Sequence, residues 1–231
     1  MNIERLNTVR AIAFDLDGTL VDSAPDICHA LNVGLAEAGI DSADLCTVRG
    51  WIGGGPDLLI RRALAHFGCT DADGALQARL RAFFDAATLH APLANGSVFN
   101  GIADMVEALY AAFPLAVVTN KPTHLARAVL GAAGILPFMS SVHGGDRPEQ
   151  LKPSPTLLLD AAGCLHVEPG RLLMVGDSSA DLMAAHAAGC PVVLVGWGYG
   201  AHALPEGIEP WHVESPLQLA REMLSRQAER A

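Results

Sequence analysis

Four short apolar or β-branched runs, Val9–Phe14, Leu115–Val118, Leu172–Val175 and Val192–Val195, each end in a polar or glycine turn. A weaker fifth stands at Ser140–His143. Between them the apolar residues switch to a helical period, at Gly101–Ala112, Pro122–Ala133, Pro155–Ala162 and Ser179–Ala188. Strands this apolar need cover on both faces, and intervening helices supply it. Strand–helix alternation at this spacing predicts an α/β fold with a Rossmann-like parallel-sheet core.

The interval from Leu20 to Gly96 breaks the rhythm. It holds no convincing strand, only helical stretches near Asp26–Ala38, Pro56–Phe67 and Ala75–Leu89. An inserted α-helical cap domain over residues 21–96 is expected, with the core formed by 1–20 and 97–231. Its hinges fall near Leu20–Ala24 and Pro92–Gly101, the latter rich in Pro, Asn and Gly. Pro216–Arg230 reads as a closing surface helix.

Composition removes several classes of function. Hydrophobic residues make up 51% of the 231, too many for a disordered chain. No apolar stretch nears the roughly 20 residues that span a bilayer. The start, Met1–Leu6, has neither the basic nor the long apolar region of a signal peptide, so a cytoplasmic protein is expected. With 15 basic and 25 acidic residues the net charge is −10, which opposes binding to nucleic acid or anionic membrane. Five scattered cysteines form no C-x-x-C, and nine histidines form no metal-ligand pair of the H-E-x-x-H kind. Among the basic residues only Lys121 and Lys152 are lysine, and each precedes a proline.

Ligands of open α/β sheets sit at the carboxyl ends of the strands. After Val9–Phe14 comes Asp15-Leu16-Asp17-Gly18-Thr19. In an extended chain Asp15 and Asp17 project to one side, and two carboxylates so close call for a cation or a shared proton. Gly18 permits a sharp turn or the close approach of a ligand. After Leu115–Val118 come Thr119, Asn120 and Lys121; Leu151-Lys152-Pro153 stands before a helix. After Leu172–Val175 comes Gly176-Asp177-Ser178-Ser179-Ala180-Asp181, where Ser179 or Asp181 could equally cap the helix. Carboxylates in number, without His or Cys, suit a hard cation such as Mg²⁺, while Thr119 and Lys152 suit phosphate oxygens. Together they point to Mg²⁺-assisted phosphoryl transfer with an aspartate as nucleophile.

These four segments, in this order, resemble the motifs of the haloacid dehalogenase-like phosphatases: Asp15–Ser23, Thr119, Lys152 in LKPSP, and Gly176–Asp181. The resemblance covers essentially the whole chain. Within that family, Arg49–Gly55 followed by helical Leu58–Leu64, the run Thr119–Pro122, and Val195–Gly200 are similar to phosphoglycolate phosphatases. Phe99-Asn100-Gly101 departs from the Tyr-Pro-Gly-like hinge usual there.

The resemblance implies that Asp15 attacks phosphorus and that Asp17 serves as general acid and base. It implies phosphate or substrate contacts from Gly18, Thr19, Thr119, the backbone around Asn120, Lys152, Gly53 and Gly54. Mg²⁺ would be held by Asp15, the Asp17 carbonyl and Asp177, with Asp181 directly or through water. The partner is a small phosphorylated metabolite, not nucleic acid or membrane, acted on by a monomer or homodimer. Gly53-Gly54-Gly55 follows no strand, so a dinucleotide or P-loop reading fails; it is a loop of the cap dipping into the site, or a plain helix-to-helix turn. His186 reads as a surface residue, Trp197 and Tyr199 as packing or rim. Other sugar-phosphate phosphatases and a β-phosphoglucomutase-like phosphomutase share the fold. A receiver-type signalling domain also carries Asp, Thr and Lys, but is about half as long and lacks the helical insert.

Overall fold

The computed structural model describes residues 3–200 and 210–229. Its centre is a six-stranded parallel sheet. The strands are β1 (Ala11–Phe14), β4 (Leu115–Thr119), β5 (Ser141–Gly144), β6 (Leu172–Gly176), β7 (Val192–Val195) and β8 (Trp211–Val213), in the order β5-β4-β1-β6-β7-β8. All five pairings are parallel; Ala13, for example, lies between Ala116 and Met174.

The strand period of two deals alternate side chains to opposite faces. Ile12, Phe14, Val117, Leu173, Val175 and Val193 join one core with α5 (Ile102–Tyr110), α6 (Thr123–Ala132) and α9 (Pro216–Ala228). Ala11, Ala13, Ala116, Val118, Met174 and Leu194 join the other with α7 (Thr156–Cys164) and α8 (Ser179–Ala188). Both faces are therefore dry, which is why the runs show no polar alternation. Phe14 is the largest fully buried side chain of the first core; truncating it to alanine is expected to cost about 3–5 kcal/mol.

Between β1 and α5 lie α1 (Ala24–Glu37), α2 (Leu45–Arg49), α3 (Gly55–His66) and α4 (Ala75–His90). They pack around a third cluster that includes Leu31, Leu35, Ile60, Leu80 and Phe84. Leu125 of α6 also belongs to this cluster, so the helical block is seated on the sheet unit through an apolar contact. The interval expected to be free of strands contains β2 (Val21–Asp22), which pairs antiparallel with β3 (Ser97–Val98). These strands run through the two expected hinges and tie them into one ribbon. Two residues each are too few to show a sequence period. No described helix is long and apolar enough to cross a membrane.

The chain leaves β1 for β4 and β5 on one side, then crosses to β6, β7 and β8 on the other. The loops after β1, β4 and β6 consequently meet at the switch point, where a crevice opens in sheets of this kind.

Candidate active site

Asp15 continues β1 by donating its N–H to the Val175 carbonyl at 2.8 Å, so its position is set by the sheet. Its Oδ1 accepts the Leu16 N–H at 2.7 Å and lies 2.9 Å from Lys152 Nζ. Among the described residues Oδ2 has no partner, which leaves one oxygen of a held carboxylate free. Lys152 Nζ also donates to the Val118 carbonyl at 3.0 Å and to Asp181 Oδ1 at 2.6 Å. An ammonium has three hydrogens; two go to Val118 and Asp181, and the Asp15 carboxylate stands beside it as an ion pair. Here Lys152 draws the Asp15 and Asp181 carboxylates together.

Asp181 is fully buried and its second oxygen accepts from the Ser178 N–H and hydroxyl. Ser178, not Ser179, is the N-cap of α8, and Asp181 completes a capping box with it. Asp177 accepts the Tyr199 N–H at 2.8 Å and the Thr19 hydroxyl at 3.4 Å. Oxygens of Asp15, Asp177 and Asp181 lie within 4.8 Å of one another. Gly18 sits against this cluster with φ +85°; a Cβ there would run into the Asp177 carboxylate and come within 2.9 Å of the Tyr199 ring. Thr19 is buried under the cluster, its carbonyl accepting from the Trp197 indole at 3.0 Å.

The Asp17 carboxylate turns elsewhere. Both its oxygens accept from Lys121 Nζ, at 2.9 and 3.1 Å, and the Ser23 hydroxyl donates to one of them. Lys121, for which the motif resemblance implies no role, is only 6% exposed. Its one signal was the economy of lysine itself: both lysines of the chain are buried here, each on an aspartate of the D-x-D pair.

Among the described residues, four carboxylates thus share two lysine ammonium groups, an excess of two negative charges when all are ionised. Burial pushes the Asp15 carboxyl up to about 7, with Asp181 and Asp177 adding to the shift and Lys152 opposing it. Burial and then Asp181 push Asp177 up to about 6. Burial works against the charge of Lys152, but Asp15 and Asp181 outweigh it and hold the ammonium above its ordinary value. An all-oxygen donor set with an excess of two charges fits a hard divalent cation.

Thr119 ends β4, and its hydroxyl accepts the Lys121 N–H at 3.2 Å. The Asn120 amide donates to the Gly53 carbonyl at 2.8 Å and to the Lys152 carbonyl at 3.0 Å, and accepts the Lys152 N–H at 2.7 Å. Its side chain is thus committed to joining three loops, and any substrate contact falls to its backbone. Gly53 and Gly55 line one cavity with Asp15, Asp17, Thr119 and Lys121, under an apolar ceiling of Ile27, Ile52, Leu59 and Phe84. Gly55, at φ +80°, packs so close that a Cβ would lie 2.9 Å from the Asn120 carbonyl. Gly54 instead opens on a neighbouring recess with Asp57 and Arg81. His186 is exposed, on α8. Tyr199 lies on the rim, bridging to the Asp22 carboxylate at 2.8 Å and the Ala24 N–H at 2.9 Å.

The family model of the haloacid dehalogenase-like hydrolases matches residues 12–195. The chain belongs to that family. Among its members, a phosphoglycolate phosphatase of Rhodospirillum rubrum is 43% identical over 195 residues, covering 82% of this chain and 80% of the relative. One from Yersinia pseudotuberculosis is 37% identical over 196 residues, covering 84% of each. The crystal structure of a predicted phosphoglycolate phosphatase from Haemophilus somnus matches with a TM-score of 0.85 at 31% identity, covering 93% of this chain and 98% of that one. This haloacid dehalogenase-like hydrolase is a phosphoric monoester hydrolase.

Proposed function

We propose that the protein hydrolyses 2-phosphoglycolate to glycolate and phosphate, with Mg²⁺ bound and through an aspartyl-phosphate on Asp15. One juxtaposition carries the reading: an aspartate with one oxygen anchored and the other free, set among buried carboxylates that need a cation. The names of the similar proteins support the choice of ester. The cavity shared by Asp15, Asp17 and Arg49 measures about 250 Å³, below the roughly 300–1,000 Å³ of pockets for drug-sized ligands. A small ester suits it.

Asp15, the Asp17 carbonyl and Asp177 would hold the metal, with Asp181 at or behind them. Bound there, it would supply positive charge to the phosphoryl oxygens and to the two unbalanced carboxylates. Lys152 and the Leu16 N–H fix Asp15 so that Oδ2 faces the phosphorus. Oδ2 forms its bond to phosphorus as the bond to the glycolate oxygen breaks, and Asp17, entering this step as the protonated acid, gives that proton to the departing oxygen. Asp17 then takes a proton from the water that attacks phosphorus, and the Asp15–phosphorus bond breaks to release inorganic phosphate. Thr119, the backbone at Asn120, Gly18 and Thr19 shape the phosphoryl pocket, where positioning and charge neutralisation do most of the work.

Residues 21–96 act in this proposal as a cap that excludes water. The Asn120–Gly53 hydrogen bond and the seating of Gly55 on the Asn120 carbonyl are among the contacts it makes over the site. The test is phosphate release from a panel of esters with Mg²⁺ present. The proposal expects 2-phosphoglycolate to give the highest kcat/KM and EDTA to abolish turnover. A hexose phosphate turned over better, or isomerised without phosphate release, would overturn it.

A further inference from the structure

The proposed substrate carries a second anionic group, and the chemistry so far assigns it no partner. Three cations stand close to the cleft. Lys152 donates to Val118 and Asp181 and pairs with Asp15, and Lys121 is committed to both oxygens of Asp17. Arg49 is different. It ends α2, whose first turn is pinned by the Asp44 side chain accepting the Thr47 N–H. The following turn is fixed from α3, where Arg62 donates to the Trp51 carbonyl at 2.8 Å. So held, Arg49 lines the same cavity as Asp15, Asp17 and Asp177, and among its described lining residues no other is basic.

The partners of Arg49 are loose ones. Its guanidinium lies 5.4 Å from the centre of the Tyr199 ring and 3.6 Å from Asp22 Oδ1, and the side chain is 46% exposed. At 3.6 Å the Asp22 contact is an ion pair without a proper hydrogen bond. Asp22 does not depend on it, because the Tyr199 hydroxyl already donates to the same oxygen at 2.8 Å. The Tyr199 ring lies against the guanidinium and takes none of its N–H donors.

Building on the phosphoglycolate reading, we infer that Arg49 is the specificity residue that binds the substrate carboxylate, and that Asp22 is its stand-in partner when the cleft is empty. A planar carboxylate takes two parallel N–H donors of one guanidinium. On binding, Arg49 exchanges a distant carboxylate for one it can engage in full. The contact also joins the helical block to the ester directly, so an ester lacking the carboxylate forgoes it.

The experiment compares kcat/KM for 2-phosphoglycolate and for ethyl phosphate, which lacks the carboxylate, in wild type, Arg49→Gln, Arg49→Lys and Asp22→Asn. Circular dichroism verifies the fold of each. For Arg49→Gln the ratio of the two kcat/KM values falls by about 10- to 100-fold. Arg49→Lys, a point charge without the fork, recovers part of it. Asp22→Asn, which keeps an acceptor for Tyr199 but removes the competing charge, raises the ratio by up to about fivefold. An unchanged ratio in Arg49→Gln, or a falling one in Asp22→Asn, overturns the inference while leaving the phosphoglycolate reading intact. Wild-type protein that treats both esters alike overturns both.

Discussion

Replacing Lys152 by methionine keeps the stem and removes the charge that organises the site. The ammonium lies 2.9 Å from Asp15 and 2.6 Å from Asp181, and the two side chains of the shorter pair are 2% and 0% exposed. Removing one partner of so buried a pair costs about 3–5 kcal/mol, because the other charge is left without compensation. A chain of this size loses roughly 2–4 °C of Tm per kcal/mol, so a fall of roughly 6–20 °C is expected at pH about 8 without metal. Asp15 then holds its proton more firmly, its nucleophilic form becomes scarce, and kcat falls by at least roughly 10²-fold. The double variant Lys152→Met/Asp181→Asn removes both charges and recovers much of the Tm but little of the activity. Thermal melts followed by circular dichroism, with phosphate release on the same samples, read both quantities. A Tm within about 2 °C of wild type, or a double variant no more stable than the single one, would refute the reasoning, since the first cost exceeds that by several-fold.

Asp15 and Asp177 sit above the usual carboxylate range because burial disfavours their charge. Their folded values exceed the unfolded value of 3.8, so the folded chain carries extra protons between roughly pH 4 and 7 and loses stability as pH rises through that window. Metal-free protein should therefore melt lower at about pH 8 than at about pH 5, and Mg²⁺ should raise Tm chiefly at the higher pH; an equal Mg²⁺ effect at both would contradict this. Asp17→Asn should lower kcat by about 10²–10⁴-fold with the fold intact, and a kcat near wild type would remove Asp17 from the proton transfers. Lys121→Met should act through the same carboxylate, so that adding it to Asp17→Asn costs little more; fully additive losses would separate the two residues.

The strands with dry faces were legible because burial on both sides leaves no room for polar residues. Val192–Val195 is observed at its expected bounds, and β4 and β6 extend one residue further, to Thr119 and Gly176. Strand β8 was not legible. It lies at the sheet edge with Trp211 half-buried and His212 exposed, so nothing in its composition marks it. The ribbon of β2 and β3 was hidden by its length.

At the site, the period of two placed Asp15 and Asp17 on one side of an extended chain, but their carboxylates part company after the strand ends. Gly18 turns the backbone, and Asp17 goes to Lys121 while Asp15 stays with Lys152. The pairing of Lys121 with Asp17 joins two loops far apart in the chain, and no local pattern reports it. Asn120 presents a related case. Its place beside Thr119 suggested a backbone contact to a ligand, and nothing local showed that its side-chain amide would tie Gly53 to Lys152. Arg49 was legible only as part of a glycine-rich stretch, since its value depends on Asp22 and Tyr199, which lie far from it in sequence.

The central claim is that Asp15 Oδ2 becomes covalently bonded to phosphorus during turnover. Rapid acid quenching of enzyme mixed with Mg²⁺ and 2-phosphoglycolate labelled at phosphorus, followed by peptide mass analysis, tests it directly. The account predicts a burst of label on the peptide containing Asp15, released by hydroxylamine and absent from Asp15→Asn, which also shows no turnover. Phosphate release that proceeds without label on that peptide, or label that persists in Asp15→Asn, would contradict it.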